Sequence, residues 1–212
     1  MIVHQIFGLL GDSEMNELFR ESHNAYIEFC ASNNYEYRLW NKEMCDELIN
    51  DYPHYKELYE NVRYPIMKVD IIRFIILHKY GGLYADLDTK PLVKTLKAST
   101  FIIGLKTGLK RVIYDMEILQ AIKGHPYLLG YLDYIKTQII EKDKIEIYKV
   151  WKCRYVYHTT GPHSICRYLK NLENVDTYRL NEPLTYNNSL NLIGDEDFIS
   201  YPSCSYKDKM TN

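Results

Sequence analysis

The sequence lacks three things: a surplus of charge of one sign, cysteines in pairs, and long apolar runs. Its 26 Lys and Arg against 28 Asp and Glu give a formal charge of −2. That argues against the broad electropositive surface with which proteins hold nucleic acid or coat an anionic membrane. No nucleic-acid partner is expected. No stretch reaches the roughly 18 uncharged apolar residues of a membrane-spanning helix, and the amino terminus has no basic segment followed by an apolar one. The five cysteines, Cys30, Cys45, Cys153, Cys166 and Cys204, are odd in number and scattered. With no CxxC pair among them, a thiolate zinc site or redox dithiol of that spacing is excluded, and a reducing compartment fits. A soluble, cytoplasmic protein, at most peripheral to a membrane, is the expectation. What the chain does have is 46% hydrophobic residues in 212, enough to bury one core, so a single domain over residues 1–212 is expected. Tyrosine, at 21 residues, is the one compositional excess, and no assignment follows from it.

Strands and helices alternate along the chain. Ile2 to Phe7 is short and β-prone; Gly8 and Gly11 break it, and Asp12 or Ser13 is placed to cap a helix. Leu18, Ala25, Tyr26, Phe29 and Cys30 recur at near-helical spacing until Asn33-Asn34, after which Tyr35 to Trp40 alternates as a strand. The most apolar helix is expected over Ile66 to Tyr80, ended by Gly81-Gly82 in the manner of an αL cap. A strand from Leu83 to Asp88 follows, which Pro91 keeps out of a sheet interior. Phe101-Ile102-Ile103 reads as another strand, Pro126 as a first helical residue, Thr160-Gly161-Pro162 as a helix opening and Asn187-Asn188 as a turn. The pattern is that of an α/β fold.

Asp86-Leu87-Asp88 is the first candidate site. If the strand continues through it, Leu83, Ala85 and Leu87 point to one face and Tyr84, Asp86 and Asp88 to the other. Two carboxylates so placed call for a cation when partly buried. A hard Mg²⁺ or Mn²⁺ would take one or two of them and complete its shell from water and a diphosphate. Taken alone, the pair also reads as a solvated strand end. Asp70 and Arg73 share a face at i and i+3 of the apolar helix, among Val69, Ile71, Ile72, Phe74 and Ile75. They read either as an ion pair at the domain edge or as pocket groups, with Arg73 turned to anions and Asp70 to sugar hydroxyls.

The run Lys68-Val69-Asp70-Ile71-Ile72-Arg73, followed by Tyr80-Gly81-Gly82-Leu83-Tyr84-Ala85-Asp86-Leu87-Asp88, resembles the sugar-binding DXD region of glycosyltransferase family 32. That family includes yeast-type mannosyltransferases and bacterial capsule and lipopolysaccharide enzymes, and is related to the large clostridial glucosylating toxins. Further similarity lies at Val3 to Phe7, Tyr35 to Trp40, Gly124-His125-Pro126 and Thr160-Gly161-Pro162. The resemblance implies a GT-A fold, a Rossmann-like α/β sandwich that binds a UDP- or GDP-sugar with Mn²⁺ or Mg²⁺. It implies a retaining hexosyltransferase acting on a glycan or glycolipid acceptor. By position it assigns Asp70 and Arg73 to donor-sugar hydroxyls, Asp86 to ribose, sugar or metal, Asp88 to the metal, and Tyr84 to the pocket wall. Phe7 falls where relatives stack an aromatic on the nucleobase, though a core role is open for it too. Trp40 is left as core or wall. His158 and His163 read as acceptor-side groups or as satisfied polar residues of a loop.

Relatives continue past the Tyr-Pro that matches Tyr201-Pro202 into a segment with His or small polar residues and a Trp that closes the donor site. Here the sequence reaches Asn212 without either His or Trp after Tyr201. Three accounts are open: Ser203, Ser205 or Tyr206 substitutes, the metal rests on Asp88, diphosphate and water, or the closing segment is short or truncated. Two other functions also stand. One is a nucleotide-sugar-binding module without turnover. The other is a haloacid-dehalogenase-like phosphatase, whose Asp-x-Asp motif wants Thr or Val where this chain has Lys90.

Overall fold

Alternation along the first strand puts Val3 on one side and His4 and Ile6 on the other, and the rest of the molecule is arranged about that division. A computed structural model describes residues 1–107, 112–181 and 197–201. Strand β1 (Ile2–Ile6) leads through helix α1 (Glu17–Asn33) to β2 (Glu36–Trp40), which pairs with it in parallel. Three helices follow, α2 (Lys42–Leu48), α3 (Pro53–Glu60) and α4 (Ile66–Tyr80), before β3 (Gly82–Ala85) returns to the other side of β1, also in parallel. Next come β4 (Thr89–Pro91), β5 (Phe101–Thr107) and β6 (Val112–Ala121), then α5 (Pro126–Lys142), α6 (Ile147–Val150), α7 (Lys152–Thr159), α8 (Pro162–Leu169), β7 (Asp176–Asn181) and β8 (Phe198–Ser200). They build one mixed sheet of eight strands in the order β2-β1-β3-β6-β5-β7-β8-β4. Pro91 lies in β4 at the sheet edge, where a residue without an N–H is tolerated.

Each face of the sheet buries its own layer of helices. Val3, Leu83, Ala85, Ile102 and Ile118 pack with Tyr26 and Phe29 of α1. Ile6, Tyr84, Phe101, Ile103 and Leu119 pack with α4 and with Leu128, Tyr131 and Leu132 of α5. Helix α4 buries Met67 and every residue from Asp70 to Leu77, as its near-continuous apolar run requires.

Local chemistry changed three boundaries. Helix α1 is capped by Asn16, whose side chain accepts from the Phe19 amide at 2.8 Å, and not by Asp12 or Ser13. Gly8 and Gly11, both at positive φ, prolong the loop past those residues. Gly81 ends α4 at φ 67°, but with ψ −171° it is extended instead of αL; that region is open to glycine alone. Strand β3 stops at Ala85, three residues short of the Asp88 expected for it.

Buried His4 secures the α4–β3 corner. Its Nε2 lies 2.9 Å from the Gly81 carbonyl, and its Nδ1 accepts from the Trp40 indole at 3.1 Å. Nδ1 as acceptor makes Nε2 the donor. Burial drives its pKa down to about 4, so the ring stays neutral while bridging the two elements. Trp40 is thereby a core residue, 3% exposed. Gly82 packs the corner closest: at φ 101°, an added Cβ would lie 2.1 Å from the Ile2 carbonyl oxygen. Gly82→Ala is expected to destabilise the fold by more than about 3 kcal/mol through strain and backbone displacement. A urea midpoint equal to that of the parent protein would show that the corner does not depend on glycine.

Candidate active site

Arg73 is 4% exposed in the middle of α4, and a guanidinium at that depth must be surrounded by acceptors. One NH2 bond reaches Asp70 Oδ1 at 3.1 Å, NH1 reaches the Met116 carbonyl at 2.9 Å, and Nε reaches the Val69 carbonyl at 3.2 Å. NH1 also lies 3.3 Å from Asp86 Oδ1. The guanidinium sits over the Tyr84 ring, 4.8 Å from its centroid, and the Tyr84 hydroxyl donates to Asp86 Oδ1 at 2.6 Å. Asp70, Arg73, Tyr84 and Asp86 thus form one network, as the spacing on α4 and β3 suggested. The reading of Asp70 and Arg73 as a surface ion pair is excluded, since their side chains are only 10% and 5% exposed. Asp86 is the open end of the network at 24%.

Asp88 is placed by a turn and not by the strand. The Asp86 amide still donates to Glu117 of β6 at 2.8 Å, but the Asp86 carbonyl then accepts from the Thr89 amide at 3.2 Å and the Thr89 hydroxyl at 2.7 Å. Leu87 and Asp88 occupy the turn that these bonds close. The expectation that Asp86 and Asp88 share one strand face is therefore corrected: Thr89 outcompetes a further ladder bond and reverses the chain. The turn is anchored at both ends. Ser22 donates to the Thr89 carbonyl at 2.7 Å, and the Tyr201 amide donates to the Asp88 carbonyl at 2.7 Å.

Five participants have no counterpart among the site residues singled out from the sequence. Thr160, just past α7, donates to Asp70 Oδ2 at 2.7 Å, and Tyr131 donates to the Thr160 carbonyl at 2.8 Å. On the neighbouring strands, Lys106 lies 3.1 Å from Asp115 and 2.7 Å from Glu117. Burial pushes Glu117 well above the usual carboxylate range; Asp115, Asp88 and Asp86 push the same way and Lys106 opposes them. Thr160 had a signal in the Thr160-Gly161-Pro162 string. Lys106, Asp115 and Glu117 had none, because β6 was not recognised: its buried Met116, Ile118 and Leu119 do not alternate cleanly.

The remaining candidates separate. Phe7, half-buried just beyond β1, lies at the same C-terminal sheet edge as Asp86, and its amide donates to the Trp40 carbonyl at 2.8 Å. Among the described residues it joins none of the three hydrophobic clusters. His158 and His163 sit on helices α7 and α8 and stack at 5.0 Å. His158 Nδ1 accepts from Arg167 at 2.6 Å, and burial with the Arg167 charge lowers its pKa to about 4. Ser203, Ser205 and Tyr206, and the turn expected at Asn187-Asn188, lie outside the described residues.

The donor set suits a hard divalent cation. Among the described residues Asp86, Asp88, Asp115 and Glu117 gather near Arg73 and Lys106, and carboxylate oxygens so grouped are the ligands that Mg²⁺ or Mn²⁺ takes. Among the described residues no three His, Cys, Asp or Glu side chains are arranged as a ready-made metal site. A metal here would draw further ligands from a bound diphosphate.

Residues 20–102 match the family model described as "Glycosyltransferase sugar-binding region containing DXD motif", which bears out the resemblance carried by Lys68 to Asp88. Mannosyl phosphorylinositol ceramide synthase of Saccharomyces cerevisiae is 32% identical over 139 residues, 64% of this chain and 34% of that protein. Inositol phosphoceramide mannosyltransferase 3 of Schizosaccharomyces pombe is 35% identical over 99 residues, 45% of this chain and 27% of that protein. The chain thus spans about a third or less of the curated relatives it matches. Among solved structures, the PaToxG glycosyltransferase superposes with a TM-score of 0.52 at 14% identity, over 79% of this chain and 68% of that one. That likeness bears out the expected GT-A arrangement.

Burial raises the pKa of Asp70 to about 6 against the opposing pull of Arg73 and the Thr160 hydrogen bond. The folded state therefore takes up this proton more readily than the unfolded chain, and stability linked to Asp70 declines as pH rises from about 4 to 6. Carboxyl NMR of the Asp70 resonance is expected to show a midpoint near 6, moved upward in Thr160→Val. A midpoint at or below 4 would remove the desolvated, anion-ready Asp70 from this account.

Proposed function

We propose that this chain, whose residues 20–102 carry a DXD-containing glycosyltransferase sugar-binding region, moves a hexose from a UDP- or GDP-sugar to a hydroxyl of a glycan or glycolipid, with retention and with Mn²⁺ or Mg²⁺. The observation that carries the reading is the buried Arg73 holding Asp70 and Asp86 in fixed orientation beside the Asp86–Thr89 turn. Such a site is rigid before any ligand arrives, which is what discriminating the hydroxyls of a sugar requires.

Cleaving the bond between the anomeric carbon and phosphate leaves negative charge on the diphosphate and positive character on the ring. Asp88, with Asp86, would hold the divalent cation, which when bound supplies positive charge at the diphosphate. Asp86 presents its partly exposed carboxylate at the mouth of the network. Asp70 is buried behind it, placed to accept from a sugar hydroxyl that enters and to favour a cationic ring. Arg73 directs its donors to Asp70, Asp86, Met116 and Val69, so its task is to position the two carboxylates. Phe7, at the same sheet edge, offers a face to the nucleobase. In a same-face reaction a phosphate oxygen of the leaving group takes the acceptor's proton, and no separate base is needed.

Calorimetry with UDP- and GDP-sugars, with and without Mn²⁺, is expected to reveal one metal-dependent donor, and slow hydrolysis of it to distinguish an enzyme from a binding module. Asp88→Asn should abolish that binding while shifting the melting temperature by less than about 3 °C, since the side chain lies on a turn at the site and outside the packed core. Arg73→Lys should lower turnover at least about tenfold despite the retained charge, because an ammonium cannot hold Asp70 and Asp86 at fixed angles. Absence of any metal-dependent nucleotide binding, or turnover of a phosphomonoester instead, would overturn the proposal.

A further inference from the structure

Five residues from the last turns of α5 to the start of α7 break the rule that large apolar side chains turn inward. Val150 is 74% exposed, Trp151 58%, Ile145 42% and Ile147 41%, and Ile140 near the end of α5 is 60% exposed. The last three residues of the segment form a surface by geometry. The Trp151 amide donates to the Ile147 carbonyl at 3.1 Å, so the helical turn of α6 runs on to Trp151. Ile147, Val150 and Trp151, at i, i+3 and i+4, therefore share one face. The segment is held in place from behind: Tyr148 and Tyr155 are buried with Tyr64, Met67 and Val156. Its outward apolar face is thus a built feature on a fixed support.

The charge around that face is mixed but biased to positive, with Lys149 2.5 Å from Glu146. Residues 144–154 contain Lys144, Lys149, Lys152 and Arg154 against the single acid Glu146, a local surplus of three in a chain whose formal charge is −2. Exposed Trp, Val and Ile in a segment with a surplus of Lys and Arg combine the two attractions that hold a protein at a bilayer surface: apolar side chains at the headgroup boundary and cations against anionic lipid. Tryptophan in particular favours that boundary. The four-residue α6 is far too short to span, and among the described residues no helix is long and apolar enough to cross a membrane.

We infer that the Ile145–Arg154 segment docks this chain on an anionic lipid bilayer, and that it does so to bring the site of the proposed transfer to a membrane-borne acceptor. This rests on the proposed function for its purpose but not for the docking itself. Helix α7 connects the two places: it starts beside Trp151 and is followed directly by Thr160, whose hydroxyl binds Asp70. At 1.5 Å per residue the separation is about 14 Å, so a lipid-linked sugar projecting from the bilayer would reach the network while the lipid itself stayed outside it.

The full chain should sediment with vesicles of phosphatidylcholine and phosphatidylserine in a 70:30 ratio, and much less with phosphatidylcholine alone. Trp151 serves as reporter, because Trp40 is buried and these are the two tryptophans of the chain; its emission should shift to the blue on binding. Val150→Ser combined with Trp151→Ser should reduce the bound fraction at least about tenfold. Lys149→Glu combined with Lys152→Glu should reduce it by about fivefold or more for each cation removed. Neither variant should alter donor hydrolysis in solution, so a loss of vesicle binding with hydrolysis intact would separate this inference from the proposed function. Equal binding to neutral vesicles, no sedimentation with anionic ones, or a dimer in solution that the Val150/Trp151 variant dissociates would each overturn it.

Discussion

A guanidinium held inside the protein is the constraint from which the rest of the site follows. Arg73 is carried into the core by a helix whose other residues from Asp70 to Leu77 are almost all apolar and all buried. Leaving its charge uncompensated there would cost several kcal/mol. Compensation comes from separate parts of the chain: Asp70 on the same helix, Asp86 beyond β3, and the Met116 carbonyl on β6. The three elements are therefore tied to one point, and that point lies at the C-terminal edge of β1 and β3, where open α/β sheets commonly bind ligands.

The corner between α4 and β3 exists to make this meeting possible. Gly81 and Gly82 at positive φ allow the chain to turn within two residues, and Gly82 lets β3 lie against Ile2 where any side chain would collide. Neutral His4 secures the corner from β1. At the far end of β3, the Asp86–Thr89 turn carries Asp88 and hands the chain to an edge strand. Rigidity at both ends of a four-residue strand leaves Tyr84 and Asp86 little freedom. The carboxylates beyond it, Asp115 and Glu117 with Lys106 between them, extend the charged surface across β5 and β6.

On the opposite side of Asp70 the network runs through Thr160 and Tyr131 into α7 and α5. The same α7 begins at the exposed Trp151 face. A single short helix thus joins the interior end of the Asp70 network to an apolar surface with a local surplus of Lys and Arg, which the net charge of the whole chain conceals.

Much of this was legible in the residues themselves, and the reasons differ by element. Helix α4, strands β1 and β2, and the Gly-Gly corner were apparent because their signals are local: apolar continuity, alternation, and glycine where φ must be positive. The long string from Lys68 to Asp88 grouped Asp70, Arg73, Tyr84 and Asp86, and these four side chains do lie in contact. Strand β6, and with it Asp115 and Glu117, was hidden because a strand in the sheet interior is buried on both faces and loses its period of two. The placement of Asp88 was also misjudged, since Thr89 offers the backbone a turn that competes with the ladder, and nothing in the alternation of residues 83–88 reveals which wins.

The sequence by itself determined the chemistry available: which residues carry charge, where the backbone can turn, and which helix must be buried. Tertiary structure alone decided which charges meet. Lys106 with Glu117, Thr160 with Asp70, and Tyr201 with Asp88 are contacts made across 11, 90 and 113 residues of chain, and their energy depends on burial and angle that no local pattern encodes.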